Sequence, residues 1–314
     1  MATFTIPVPI TRAALLADLE GLWQRFDELV GILGTDDWSG KHGQHWTFTD
    51  VPYHLAYFDL EVIATAIKRG LDVPASEQVM RNEEEQDTWN EIKFTQRPKG
   101  ITPKACLELM QTGRQAIRDA VAGLNGADLD RHVFIPLVGL GWVSVRVALE
   151  TSYSHTWNHF MQLRFWMKCT AVKSGPAQTH HALSYFMASF AQDVDLEQAS
   201  QTRLTTVMDF SGPGGGAWTL HVAGGTCSVS EGRAEHADLV IIQSPETFVK
   251  TRTGIQNPLL ALLTGSIKVR GWQNLGTFRK LFPFKNLDFA PATEGMLEVR
   301  MIARIEMPLQ ASAA

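Results

Sequence analysis

The chain has 314 residues, of which 45% are hydrophobic and 19% charged, a balance that describes a globular protein with apolar side chains enough for two cores. Its net charge of −5, with no run of Lys or Arg, leaves no electrostatic footprint for a phosphate backbone, so nucleic acid is excluded as a partner class. No basic-then-apolar leader and no uncharged stretch of about 18 residues occurs, which predicts no membrane span and a cytoplasmic protein.

In chain order, apolar residues recur at intervals of three and four over 11–33, 50–70, 103–124 and 143–169. That period predicts four long helices, hence an all-α four-helix bundle with 71–102 as its long crossover. At the second helix, Thr49 is placed to cap and Pro52 falls in the first turn, where its missing N–H costs nothing.

The last of these helices contains SHTWNHFMQ (154–162). On a helical wheel His155, His159, Gln162, Asn158 and Thr151 form one polar stripe, while Arg146, Glu150, Arg164 and Lys168 lie opposite. Charged side chains are almost never buried unpaired, whereas His, Gln and Asn can be. The histidine stripe is therefore expected to face the bundle interior. Two imidazoles at i and i+4 can reach one ion; the same spacing equally suits two core histidines bonded to neighbours. A catalytic site needs a third ligand, and His54, one turn into the second helix, is the best placed. The wheel nevertheless sets His54 beside Asp50, Glu61 and Lys68, near the bundle's polar edge. His42, His45, His180 and His181 read as solvated loop residues.

KSGPAQTHH then marks a polar linker, and the period changes beyond it. WTLHVAGGTCSVSEG alternates apolar and polar residues around Gly224-Gly225, a hairpin signature; 237–242 and 266–271 are two more strands. Between them, Asn257 is placed to cap a short helix, Pro258 to open it and Gly265 to end it. The second half is thus α+β. Gly212–Gly216 lies between strands and reads as a hairpin loop, not a phosphate loop. Cys227 sits on a strand as a small buried hydrophobe. Cys106, Cys169 and Cys227 are too far apart for a disulfide framework or a paired-cysteine metal site.

Two segments, WTFTDVPYHLA (46–56) and HTWNHFMQ (155–162), resemble the DinB/YfiT-like four-helix metalloprotein superfamily over roughly 10–170. That resemblance implies His54, His155 and His159 as the three ligands of a divalent metal. Over roughly 182–285, WTLHV, GGTCSVSEG, ADLVI, SPETF and NPLLALLTGSIKVRG resemble the sterol carrier protein 2 (SCP2-like) fold, in which a sheet and helices enclose an apolar cavity. The expected organisation is multidomain: a DinB-like bundle over 1–172, a linker over 173–181 and an SCP2-like α+β domain over 182–308.

The two domains in this order resemble the mycothiol-dependent maleylpyruvate isomerase family. The resemblance implies a metal-dependent enzyme with a low-molecular-weight thiol as cosubstrate, acting as an S-transferase or isomerase on a small-molecule electrophile, with Zn2+ as the metal. The chain departs from that pattern in a charged insertion around 76–99 and in His155, where the pattern has Glu. On this reading Gln162 and Asn158 are the candidate catalytic contacts, and Asp50 and Glu61 the candidates to orient His54. The competing functions are a lipid or apolar-ligand binder of the SCP2 type, with the bundle as structural partner, and a metal-dependent hydrolase. A homodimer is compatible with each.

Overall fold

The computed structural model describes residues 11–42, 46–73, 80, 83–137, 141–252 and 255–282. Its contacts divide the chain into two compact units, one up to Lys173 and one from Ser174. His45, part of the proposed loop, lies outside the described residues, as do the His42 side chain and everything after Phe282.

The first unit is helical. α1 (Arg12–Val30) is capped by the Thr11 side chain and buries Leu15, Leu19, Leu22, Phe26 and Leu29 along one face. A two-residue ladder, β1 (Lys41–His42) with β2 (Trp46–Thr47), leads into the second helix. That helix runs as α2 (Asp50–Tyr57), a seven-residue π segment (Phe58–Ala64) and α3 (Thr65–Arg69). Thr49 takes the cap position but makes no side-chain cap; its hydroxyl donates instead to the Trp38 carbonyl.

The expected crossover holds a further helix, α4 (Glu83–Thr95). α5 (Pro103–Val121) follows, with Thr102 capping and proline in the first turn. A hairpin of β3 (His132–Ile135) and β4 (Gly141–Ser144) then takes residues 143 and 144, which the sequence period had assigned to the last helix. α6 (Val145–Trp166) starts where the Ser144 hydroxyl accepts the Val147 N–H.

α6 is buried on every side from Val147 to Arg164. Glu150 and Arg164 are themselves 1% and 5% exposed, which corrects the argument that the charged face of this helix marks solvent. The histidines face inward because the whole helix is central.

Polar ties set the helices against one another. The fully buried Arg114 of α5 forms an ion pair with Asp27 of α1 at 2.7 Å and lies over the Trp23 and Phe26 rings. Asp59, in the π segment, accepts a hydrogen bond from Ser152 of α6 at 2.7 Å. α5 meets α2 at Gly113, where a Cβ would lie 2.8 Å from the Ala56 carbonyl oxygen.

The second unit is α+β. α7 (Pro176–Asp193) begins inside the expected linker, because Gly175 takes its cap and Pro176 its first position. α8 (Leu196–Gln201) leads to a five-stranded sheet, in the order β7-β6-β5-β8-β9. Its strands are β5 (Leu204–Phe210), β6 (Gly216–Ala223), β7 (Thr226–Glu231), β8 (Leu239–Gln243) and β9 (Ile267–Arg270). β5 and β8 are parallel and the other pairs antiparallel. Between β8 and β9 lie α9 (Pro245–Arg252) and α10 (Pro258–Leu263); α11 (Leu275–Leu281) closes the described chain. Asn257 caps α10 as expected, and the β6–β7 turn has positive φ at Gly224 and Gly225. Among the described residues no helix is long and apolar enough to cross a membrane.

Replacing Gly113 with alanine forces α5 away from α2. The expected cost is about 1–3 kcal/mol, read as a lowered thermal midpoint with unchanged far-UV circular dichroism.

Candidate metal centre

α2 and α6 bring His54, His155 and His159 together, all three buried, with one ligand nitrogen from each within 4.8 Å of the others. The closest pair is His54 Nε2 and His155 Nε2, at 2.8 Å. A tetrahedral ion bonded at about 2.0–2.1 Å sets its ligand nitrogens about 3.3 Å apart, and the observed separations bracket that value. The donor set suits a borderline ion such as Zn2+.

The protonation states suit it too. Burial lowers His155 from 6.5 to about 3, so this imidazole is neutral and keeps a lone pair. Its Nδ1 is buried with no hydrogen-bond partner among the described residues, while the Phe58 ring packs 3.9 Å from its own.

His54 is fixed by a different route. Its Nδ1 meets the Tyr57 hydroxyl, one turn along α2, and that hydroxyl donates to Asn90 Oδ1 of α4 at 2.8 Å. The phenol has one proton, and it is spent on Asn90. Nδ1 of His54 must therefore carry the hydrogen and Nε2 the lone pair that faces His155. Burial, then the nearby Tyr53, Glu61 and Glu91, push the Tyr57 pKa well above 10, so the phenol remains protonated.

Asp50 and Glu61, expected to orient His54, do other work. Asp50 accepts from the Thr47 amide and hydroxyl at 2.7 and 2.8 Å and forms an ion pair with Arg97. Glu61 forms an ion pair with Lys93. Both acids fasten the α4 region to the second helix. His54 itself is 5% exposed, not at a polar edge. Two things account for the difference: the wider turn of the π segment slows the rotation per residue, so a constant 100° wheel misplaces the residues from Phe58 onward, Glu61 and Lys68 among them, relative to His54, and Asp50, ahead of that segment, is itself buried against Thr47 and Arg97.

Aromatic rings wall the cluster. Trp46 lies 4.7 Å from the His54 ring and stacks at 5.7 Å on His159. Phe94 of α4 lies 5.0 Å from Trp46 and 6.3 Å from His54. Tyr57, Asn90, Phe58 and Phe94 were not singled out from sequence. The i+3 spacing of Tyr57 from His54 was an available signal; the α4 residues had none, since they sit in a stretch read as connection.

Asn158 and Gln162 are buried on α6, each three residues beyond a cluster histidine. The Asn158 amide nitrogen has no hydrogen-bond partner among the described residues. His180 belongs to the other unit, where it contacts Glu231 at 3.2 Å and the Gly215 carbonyl oxygen. Cys227 is buried, and burial pushes its thiol up to about 12.

Residues 18–163 match the DinB superfamily and residues 189–283 match the SCP-2 sterol transfer family, one match following the other along the chain. Among solved structures it is similar to a mycothiol-dependent maleylpyruvate isomerase, at TM-score 0.47 and 14% identity over 80% of this chain and 91% of that one. A point mutant of that isomerase gives TM-score 0.47 and 13% identity, over 79% and 90%. A stereoselective inverting sec-alkylsulfatase from Pseudomonas sp. gives 0.28 and 12%, over 64% and 43%. No curated protein matches the chain.

Tyr57→Phe removes the acceptor for the His54 Nδ1 hydrogen, and zinc affinity is expected to fall about 10- to 100-fold in chelator competition. A second test concerns Asp59, whose burial raises its pKa from 3.8 to about 7 against the opposing Ser152 hydrogen bond and Arg114 charge. The folded state then holds more protons than the unfolded one between those values, so the Asp59 contribution to stability is lost as pH rises from about 4 to 7. Asp59→Asn is expected to raise the thermal midpoint at pH 8, with the gain shrinking toward pH 4.

Proposed function

We propose that the N-terminal unit is a metal-dependent enzyme that holds one divalent ion, of the Zn2+ type, on His54, His155 and His159. It takes a low-molecular-weight thiol as cosubstrate and transfers it to, or isomerises through it, a small electrophile. The observation that carries the metal assignment is the convergence of three buried imidazole nitrogens within 4.8 Å. The thiol assignment rests on the resemblance of the domain pair to thiol-dependent isomerases.

Three protein ligands leave the fourth tetrahedral position open, as in catalytic rather than structural zinc sites. A bound divalent ion supplies Lewis acidity, which lowers the pKa of a thiol at that position. The chain's own residues prepare the site for it. Tyr57 and Asn90 hold His54 with its lone pair inward. Burial keeps His155 neutral. Trp46, Phe58 and Phe94 surround the imidazoles with π surface, which limits water and suits an organic ligand.

Asn158 and Gln162 are the candidate catalytic contacts. The Asn158 amide has a donor to spare, and a substrate carbonyl or carboxylate oxygen would satisfy it. Burial raises the thiol pKa of both Cys106 and Cys227, which makes neither a ready nucleophile, and the proposed nucleophile comes from the cosubstrate.

A second reading has its own support in the SCP-2 sterol transfer match over 189–283: the C-terminal unit binds an apolar ligand and the bundle is a structural metal domain. A hydrolase with water at the open position would use the same three histidines. Metal analysis and a thiol-consumption assay, with and without chelator, separate the three. The expected result is about one zinc per chain, lost in His54→Ala and His155→Ala, with metal-dependent consumption of thiol by an electrophile. Wild-type protein without metal, unchanged in stability by His155→Ala, sinks the enzyme reading. Metal-dependent turnover that ignores thiol favours hydrolysis.

A further inference from the structure

Within the N-terminal unit, the second helix, α4 and the β3–β4 hairpin leave a cleft of about 170 Å³ between them. Val62 and Ala66 of the second helix, Trp89 of α4, Phe134 of β3 and Leu137 just past it supply its apolar lining. Neither the cluster histidines nor the rings of Trp46, Phe58 and Phe94 line it, so the cleft is separate from the metal centre. Close-packed domains hold few voids of this size. An apolar cavity of about 150 Å³ is enough to take up benzene.

The charges at the cleft are Glu61, Arg69 and Lys93, two cations against one carboxylate. Lys93 decides which sign is wanted. Its side chain is only 19% exposed, and its ammonium lies over the Trp89 ring at 5.4 Å. That ammonium carries three N–H donors, and among the described residues its one hydrogen-bond acceptor is Glu61. Glu61, at 45% exposed, can fill its remaining lone pairs from water. The ammonium is the more enclosed partner, and an anion in the cleft would accept from the donors that Glu61 leaves over.

We propose that this cleft is a second ligand site, and that its ligand is a small aromatic carboxylate, with the ring against Trp89 and Phe134 and the carboxylate toward Lys93 and Arg69. The volume admits one ring, and two elements offer aromatic surface to it. A neutral aromatic leaves the spare ammonium donors unused, and a small aliphatic anion leaves the apolar lining bare. A cationic ring would meet two cations, with the one carboxylate already paired. α4 is a wall of both the cleft and the histidine cluster: the Trp89 ring lies 5.4 Å from that of Tyr57, and Asn90 beside it accepts the Tyr57 hydroxyl.

The test is isothermal titration of the full chain with benzoate, and with benzyl alcohol, acetate and benzylammonium as the neutral, ring-free and cationic counterparts. Benzoate is expected to bind with a Kd of about 0.1–1 mM, and each of the others at least about tenfold more weakly. Thr65 lines the cleft from an exposed position, so Thr65→Trp obstructs it without entering the core. Thr65→Trp and Lys93→Gln should each weaken benzoate binding at least about tenfold, with circular dichroism unchanged. Two separate variants keep the result readable if one fails to fold. Chelator-treated wild type and His155→Ala should bind benzoate as untreated wild type does, so the outcome does not depend on the metal reading. The proposal is overturned if benzoate fails to bind at about 10 mM, if the four probes bind alike, or if either folded variant binds like wild type. It is also overturned if chelator or His155→Ala abolishes binding, which would place benzoate on the histidine cluster.

Discussion

Three imidazoles buried within reach of one another are a standing cost unless something shares their lone pairs. An unsatisfied buried polar group costs on the order of 1–3 kcal/mol, and the His54–His155 contact can satisfy one nitrogen on each ring at most. Burial makes the cost and also keeps a lone pair available, because the same desolvation that leaves His155 Nδ1 without a partner keeps the ring neutral. The N-terminal unit is arranged around that constraint. α6 is central and buried on all sides, and the second helix is pinned to it by the Asp59–Ser152 hydrogen bond.

The π segment has a specific part in this arrangement. It begins four residues after His54 and contains Asp59, and its wider turn changes which residues share a face with the histidine. Such segments recur at functional sites because they re-aim side chains at a modest cost in helix stability. Close packing by Gly113 against Ala56 and Asp59 shows that the neighbouring helix is fitted to the wider turn.

α4 is the other departure from a plain bundle. Its residues reach the cluster in three ways: Asn90 through Tyr57, Phe94 by ring contact, and Lys93, with Arg97 just past its end, by ion pairs to the acids flanking His54 on the same helix. Exposed ion pairs hold a helix weakly, but here they act together with the buried Tyr57 hydroxyl. A charged stretch that looks like a connection therefore supplies both a wall of the site and the group that sets the tautomer of one cluster histidine.

Much of this was legible in the residues themselves. Helix periods located α1, α5 and most of α6, capping residues located α10, and glycine pairs located the β6–β7 turn, because each signal is local and one physical rule reads it. The histidine cluster was partly legible: His155 and His159 are four apart on one helix, and only resemblance joined His54 to them. What the sequence by itself determined is the pair of architectures and the inward-facing His155/His159 pair, since period and spacing suffice for those. The tertiary structure alone decided that Glu150 and Arg164 are buried, that Asp50 and Glu61 hold α4 instead of orienting His54, and that Tyr57 and Asn90 take that role. Those outcomes depend on contacts between residues up to about a hundred positions apart and on a change of helical pitch, and neither leaves a trace in the spacing of a single segment.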